Sequence, residues 1–202
     1  MKYVIGIDEA GRGPLAGPMA VGGVIMKVDT EIVHEYFADG IRDSKKLTEL
    51  RREKLFEWIK ENKDLKHSVA FAPASLVDSA GVTISINKSI DGVLNKLLPE
   101  GCLESDVLIL LDGGLKAPER FPNQKTIIKG DENEIVIALA SVAAKVTRDK
   151  RMVELSKQFP EYGFEKHKGY GTKVHFEAIK EHGICEEHRR RFLRKLFTIV
   201  KP

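Results

Sequence analysis

Residues 3–18 read YVIGIDEAGRGPLAGP. A β-branched run stops at two adjacent acids, Asp8 and Glu9, and three glycines and two prolines follow between residues 10 and 18. Apolar, β-branched residues bounded by Gly and Pro predict a strand, and "MAVGGVIM" (19–26) predicts its neighbour, with the Gly/Pro stretch as the connection. With "EIVHEYF" (31–37) as a third short strand, the opening predicts an antiparallel start to a sheet.

The same design, an apolar run ending on an acid, recurs twice. "DVLILL" (106–111) is a continuous apolar segment of the kind found in a sheet covered on both faces, and it ends on Asp112. "KTIIK" (125–129) runs into Gly130 and Asp131. Between these and the opening, Thr48 followed by Glu49 predicts a helix to about Asn62 with Leu55, Trp58 and Ile59 on one face. "KHSVAFA" (66–72) alternates and stops at Pro73, as a strand does. A short helix over 75–79 is ended by Gly81, and Ile86, Ile90, Val93, Leu94 and Leu97 keep a helical period through 82–98. A long helical pattern at 133–158 has a small-residue centre, "IALASVAAKV", suited to close packing on a sheet. The tail carries a glycine-rich loop, "EKHKGYGTK", and two further helical segments. Strands followed by helix-strand alternation predict an α/β domain with a mixed central sheet flanked by helices.

Ligands in open α/β sheets sit beyond the carboxyl ends of strands. If the three acid-tipped strands are neighbours, Asp8, Glu9, Asp112 and Asp131 converge. Taken singly, each acid is also what a strand end or helix cap carries, and Asp131 stands where a helix N-cap belongs. Together, four carboxylates repel one another unless cations neutralise them. With no His/Cys spacing to offer a softer site, the predicted partner is a hard divalent ion, Mg²⁺ or Mn²⁺, acting as a pair in phosphoryl transfer. The loop Gly11-Arg12-Gly13 lets backbone amides approach a ligand with no Cβ in the way.

Composition sets the bounds. The chain has 202 residues, 42% hydrophobic and 31% charged, with a net charge of +3, which fits one ordinary globular domain. No apolar stretch reaches membrane-spanning length and no signal core opens the chain, so a cytoplasmic protein without a membrane partner is expected. Cys102 and Cys185 show no metal or disulfide spacing. Basic residues concentrate in 42–54 and 186–195, as solvated helix faces do and as a phosphate backbone requires.

The motifs GIDEAGRGPLAGP, DSKKL, LLDGG, KGD, ASVAAKVTRD, KGYGT and HRRRF, in this order and over nearly the whole chain, resemble bacterial type 2 ribonuclease H. The resemblance implies a ribonuclease H-like fold over 1–202, with about 160–202 as a helical extension that contacts substrate. It also implies metal-dependent cleavage of RNA in RNA/DNA hybrids and of single ribonucleotides embedded in duplex DNA. By position, the catalytic and metal-binding acids are Asp8, Glu9, Asp112 and Asp131, the four that the strand ends select. Gly11, Arg12 and Gly13 match the loop that senses the 2′-hydroxyl, and Tyr170 matches the aromatic residue packed on the deoxyribose 3′ to the ribonucleotide. Ser44, Lys45 and Lys46 match phosphate-contacting positions.

Lys145, Arg148 and Asp149 also match, at what is expected to be the exposed polar end of a helix, while His188 and Arg189 are expected to hold the C-terminal segment or touch phosphate. Two positions depart from the pattern: Gly114, where a polar side chain is expected, and Glu186-Glu187, where apolar residues are. The related type 3 enzymes carry an added N-terminal domain, and acids beginning at residue 8 favour type 2. A monomer is expected, with a replication sliding clamp as a candidate partner; the apolar "LFTIVKP" at the C-terminus offers residues for docking, though packing on its own domain is the preferred reading. Two other classes share parts of the pattern: an actin-like or sugar kinase, which would need a second lobe, and a binding module that has lost its acids, whereas all four are present.

Overall fold

The computed structural model describes residues 1–32, 34, 37 and 47–199, with side chains to residue 194. Its centre is a five-stranded mixed sheet made of β1 (Tyr3–Ala10), β2 (Met19–Lys27), β3 (Lys66–Ala72), β4 (Val107–Asp112) and β5 (Gln124–Ile127), in the order β3-β2-β1-β4-β5. β2 pairs antiparallel with both β1 and β3, while β4 pairs parallel with β1 and β5 parallel with β4. The antiparallel start is therefore as expected, but its third member is β3. Of "EIVHEYF", the described residues Glu31, Ile32 and His34 lie outside any strand and Phe37 is in a 3₁₀ turn. Ile32 and Phe37 pack instead on the cluster that holds Leu55 and Ile59.

Alternation along β1 assigns the two faces. Ile5 and Ile7 point toward α3 (Val82–Leu97), whose Ile86, Ile90, Val93, Leu94 and Leu97 form one buried stripe. Val4 lies on the other face with α1 (Glu49–Glu61) and α5 (Ile135–Gln158). On α1 the buried face is Leu55, Phe56 and Ile59, with Trp58 only half buried, and the Thr48 hydroxyl accepts from Arg51 N–H as the helix cap. Each large aliphatic side chain so buried contributes about 1.5–3 kcal/mol.

α5 lies unusually close to the sheet. A Cβ built on Gly6 would stand 2.2 Å from the Val136 carbonyl oxygen, and one on Gly22 2.4 Å from that of Ala140. Small residues on both partners thus bring helix backbone onto strand backbone, and polar groups carried by α5 come down to the strand ends.

α2 (Ala74–Ala80) precedes α3, and one turn, α4 (Gly130–Asn133), precedes α5. A third apolar cluster packs α6 (Phe164–His167), α7 (Lys173–His182) and α8 (Arg190–Ile199) against the far end of α5, through Met152, Leu155, Tyr162, Phe164, Ile179 and Leu193. Asp78 of α2 accepts from the backbone N–H of Arg190 (2.7 Å) and Arg191 (3.1 Å), capping α8 from across the chain. Among the described residues no helix is long and apolar enough to cross a membrane.

Candidate active site

Asp8 and Glu9 lie near the carboxyl end of β1, and Asp112 ends the parallel neighbour β4, one step beyond the pairing of Ile7 with Leu111. Asp8 is 2% exposed. Its Oδ1 accepts from Glu9 N–H (2.7 Å) and its Oδ2 makes no hydrogen bond. Burial pushes its carboxyl up to about 8; the like charges of Glu9 and Asp112 add to this, and hydrogen bonding from Ser141 of α5 and from Glu9 N–H opposes it. A buried carboxyl with one unsatisfied oxygen and two acidic neighbours is electrostatically incomplete, and a cation is what would complete it.

Asp131 is not an N-cap. It is buried within α4, which begins after Lys129 in the left-handed conformation (φ 54), and the cap of α5 is Glu134. Gly130 N–H donates to Asp112 Oδ1 (2.7 Å), tying this turn to the end of β4 and bringing Asp131 to the same end of the sheet. Among the described residues, no three His, Cys, Asp or Glu side chains are already gathered tightly enough to hold a metal ion. The four acids share one end of the sheet without forming a closed ligand shell.

The glycine loop beside them is gripped from inside by two arginines. Gly11 has φ +87, and a Cβ there would stand 1.9 Å from Arg148 Nε. Arg148, 1% exposed, donates from Nε to the Pro18 carbonyl (2.9 Å) and from Nη2 to that of Lys168 (3.0 Å). Arg189, fully buried, donates from Nε (3.0 Å) and Nη2 (2.8 Å) to Gly17 and from Nη1 (3.1 Å) to Arg12. Backbone bonds from Leu15 to Gly169, from Gly17 to Glu187 and from Arg189 to Leu15 complete the fastening. Burial lowers both guanidinium pKa values, that of Arg189 to about 10 with Arg148 adding to the effect, and both stay charged at neutral pH.

Tyr170 stands 47% exposed against this loop, its Cε1 3.9 Å from where a Gly13 Cβ would be. Arg12 points back to the acids and pairs with Glu9 (2.8 Å). The predicted loop, tyrosine and acids are thus neighbours. Ser44, Lys45 and Lys46 lie outside the described residues.

Arg148 and Asp149 correct an expectation: both are buried, Asp149 pairing at 2.8 Å with the half-buried Lys145. The signal was present, since Ala144, Arg148 and Met152 recur every four residues on one buried face. Arg189 meets backbone carbonyls inside the fold. Of the departures, Glu187 supplies the loop with its backbone carbonyl, which any residue has, and Gly114 has open space around it. Ser141, which no motif reading singled out, is brought to Asp8 by α5.

The family model for ribonuclease HII matches residues 5–200. The chain is 43% identical over 199 residues to a ribonuclease HII of Caldicellulosiruptor bescii, covering 98% of this chain and 90% of that protein. Among solved structures it is similar to ribonuclease H2 from Pyrococcus horikoshii, with 27% identity, a TM-score of 0.73 and 98% of each chain covered. It is also similar to the PCNA:RNase HII complex from Archaeoglobus fulgidus, with 27% identity, a TM-score of 0.72 and 94% of each chain covered. With the acids at the strand ends and the fastened loop beside them, this match sets the kinase-like and binding-module alternatives aside: the chain belongs to the ribonuclease HII family, endonucleases of the type 2 ribonuclease H class that cleave RNA in RNA/DNA hybrids.

Proposed function

We propose that this enzyme cuts on the 5′ side of a ribonucleotide, leaving a 3′-hydroxyl and a 5′-phosphate, and that single ribonucleotides embedded in duplex DNA are substrates alongside longer hybrids. Its role is then ribonucleotide removal in DNA replication and repair, as a cytoplasmic monomer. The observation that carries this reading is the placement of Gly13 and Tyr170 against each other beside the strand that bears Asp8 and Glu9.

The residues divide the work. Asp8, Glu9, Asp112 and Asp131 would hold Mg²⁺ or Mn²⁺: the donor set is all oxygen, which suits a hard cation, and Asp8 Oδ2 is a buried oxygen in need of one. Two such ions, when bound, lower the pKa of an attacking water and neutralise charge on the departing 3′-oxygen. Ser141 and the Glu9 N–H orient Asp8, while Gly130 N–H orients Asp112. The bare backbone of Gly11–Gly13, with Arg12 held between, meets the 2′-hydroxyl, the group that separates RNA from DNA. Tyr170 packs on the deoxyribose that follows. Lys45 and Lys46, with Ser44, contact phosphate, and segment 160–202 lies along the duplex. The C-terminus is the proposed dock for a sliding clamp; its last three residues lie outside the described ones.

The test is cleavage of a labelled DNA duplex containing one ribonucleotide, with Mg²⁺, with Mn²⁺ and with chelator, against an all-DNA control. A metal-dependent cut only on the 5′ side of the ribonucleotide is expected. A cut on the 3′ side, or on the all-DNA duplex, overturns the reading.

A further inference from the structure

Behind Tyr170 stand three stacked or touching histidines with no part in the chemistry so far. His188 Nδ1 accepts from the Cys185 N–H (3.0 Å), so its proton is on Nε2, which faces His175 Nε2 at 3.1 Å. That nitrogen of His175 must then accept, which places its proton on Nδ1, 2.9 Å from the Tyr170 carbonyl. His167, stacked on His175 with centroids 4.5 Å apart, accepts from Gly169 N–H at Nδ1 (3.2 Å) and donates from Nε2 to Tyr162 (2.8 Å). Every proton in the row is thus assigned, with all three rings neutral. His175 and His188 are buried, and burial lowers both pKa values, that of His188 to about 4.

The segment they hold is under tension. Lys168 (φ 51) and Gly169 (φ 83) are both left-handed, the first at a backbone cost that neighbouring bonds must offset. Arg148 takes the Lys168 carbonyl on one side, while Thr172 N–H (2.8 Å) and His175 take the Tyr170 carbonyl on the other.

We propose that His175 is a positioning residue for Tyr170: its Nδ1–H, with the tautomer fixed by His188 behind it, sets the backbone from which the tyrosine ring reaches over Gly13 to distinguish DNA from RNA after the ribonucleotide. This rests on the reading of Tyr170 given above. The readout is the rate on a single ribonucleotide in DNA divided by the rate on a uniform RNA/DNA hybrid.

Tyr170→Ala should lower this ratio. His175→Leu, which keeps the bulk and loses the donor, should lower it about three- to tenfold, the worth of one hydrogen bond. His175→Asn, whose amide N–H can stand in for Nδ1–H, should restore most of it, and His175→Leu should change nothing further in the Tyr170→Ala background. An equal loss on both substrates, or no rescue by Asn, overturns the proposal. If Tyr170→Ala lowers the ratio and His175→Leu does not, the proposal alone falls; if Tyr170→Ala leaves it unchanged, the reading of Tyr170 falls and takes the proposal with it. Should the leucine variant not fold, imidazole ¹⁵N spectra of the wild type still decide: a proton on Nδ1 of His175 and on Nε2 of His188 is expected, and one on Nε2 of His175 overturns the relay.

Discussion

Two buried polar clusters among the described residues follow opposite plans. At the end of β1, Asp8 keeps an oxygen without a hydrogen bond while acidic neighbours crowd it. Behind the glycine loop, Arg148, Arg189, His175 and His188 find their partners inside the chain, mostly on backbone carbonyls. Burial drives both clusters toward neutrality, Asp8 up to about 8 and His188 down to about 4. On the proposed reading, the fold leaves a group unsatisfied where an ion would bind, and satisfies its groups where a loop must be held.

The comparison breaks most sharply at Asp112. Asp112→Asn should cost more than about a hundredfold in turnover while melting temperature and hybrid affinity stay near wild type. A variant that cuts normally would remove Asp112 from the chemistry.

The converse change is Arg189→Ala, which leaves the Gly17 and Arg12 carbonyls without their donor. It should cost about 3 kcal/mol, several degrees in melting temperature, because buried acceptors lose their partners. Destabilisation under about 0.5 kcal/mol would show that the loop holds itself.

Acidity separates the clusters next. A carboxyl whose pKa is higher in the folded than in the unfolded chain gains a proton on folding, so its contribution is present below about 4 and is lost as pH rises toward about 8. His188 behaves in the opposite sense: its lowered pKa favours the fold above about 6.5 and loses that advantage as pH falls toward about 4. In chelator, Asp8→Asn should therefore raise stability near pH 8 by about 1–3 kcal/mol, and divalent ions should abolish the advantage. A melting temperature for Asp8→Asn no higher than wild type at that pH would deny that Asp8 is strained.

The smallest effect expected is at the α8 cap. Asp78→Ala should cost about 1 kcal/mol and speed amide exchange at Arg190 and Arg191 before anywhere else; unchanged exchange there would mean the cap is redundant.

The gathering of acids at one end of the sheet was legible because strand composition and terminal acids are both local signals. Asp8 and Asp112 announce themselves as carboxyl groups immediately after apolar runs, and DSKKL or KGYGT are contiguous words. The fastening of the glycine loop was not legible in this way: Arg148 and Arg189 bond to carbonyls 130 and 172 residues distant, and carbonyls carry no sequence identity. Asp131 was placed at the right end of the sheet but two positions off as a cap, since a left-handed residue, Lys129, starts the turn earlier. The substitution of 66–72 for 31–37 as third strand turned on alternation, which "KHSVAFA" has and "EIVHEYF" lacks.

The grip of Arg189 on Gly17 spans 172 residues, and that span has a meaning in time. At about 5–20 residues per second, a ribosome makes the loop roughly 10–30 s before it makes the side chain that fastens it. If the loop senses the 2′-hydroxyl as proposed, a nascent chain carries Asp8, Glu9, Asp112 and Asp131 before it carries the side chain that fastens that loop.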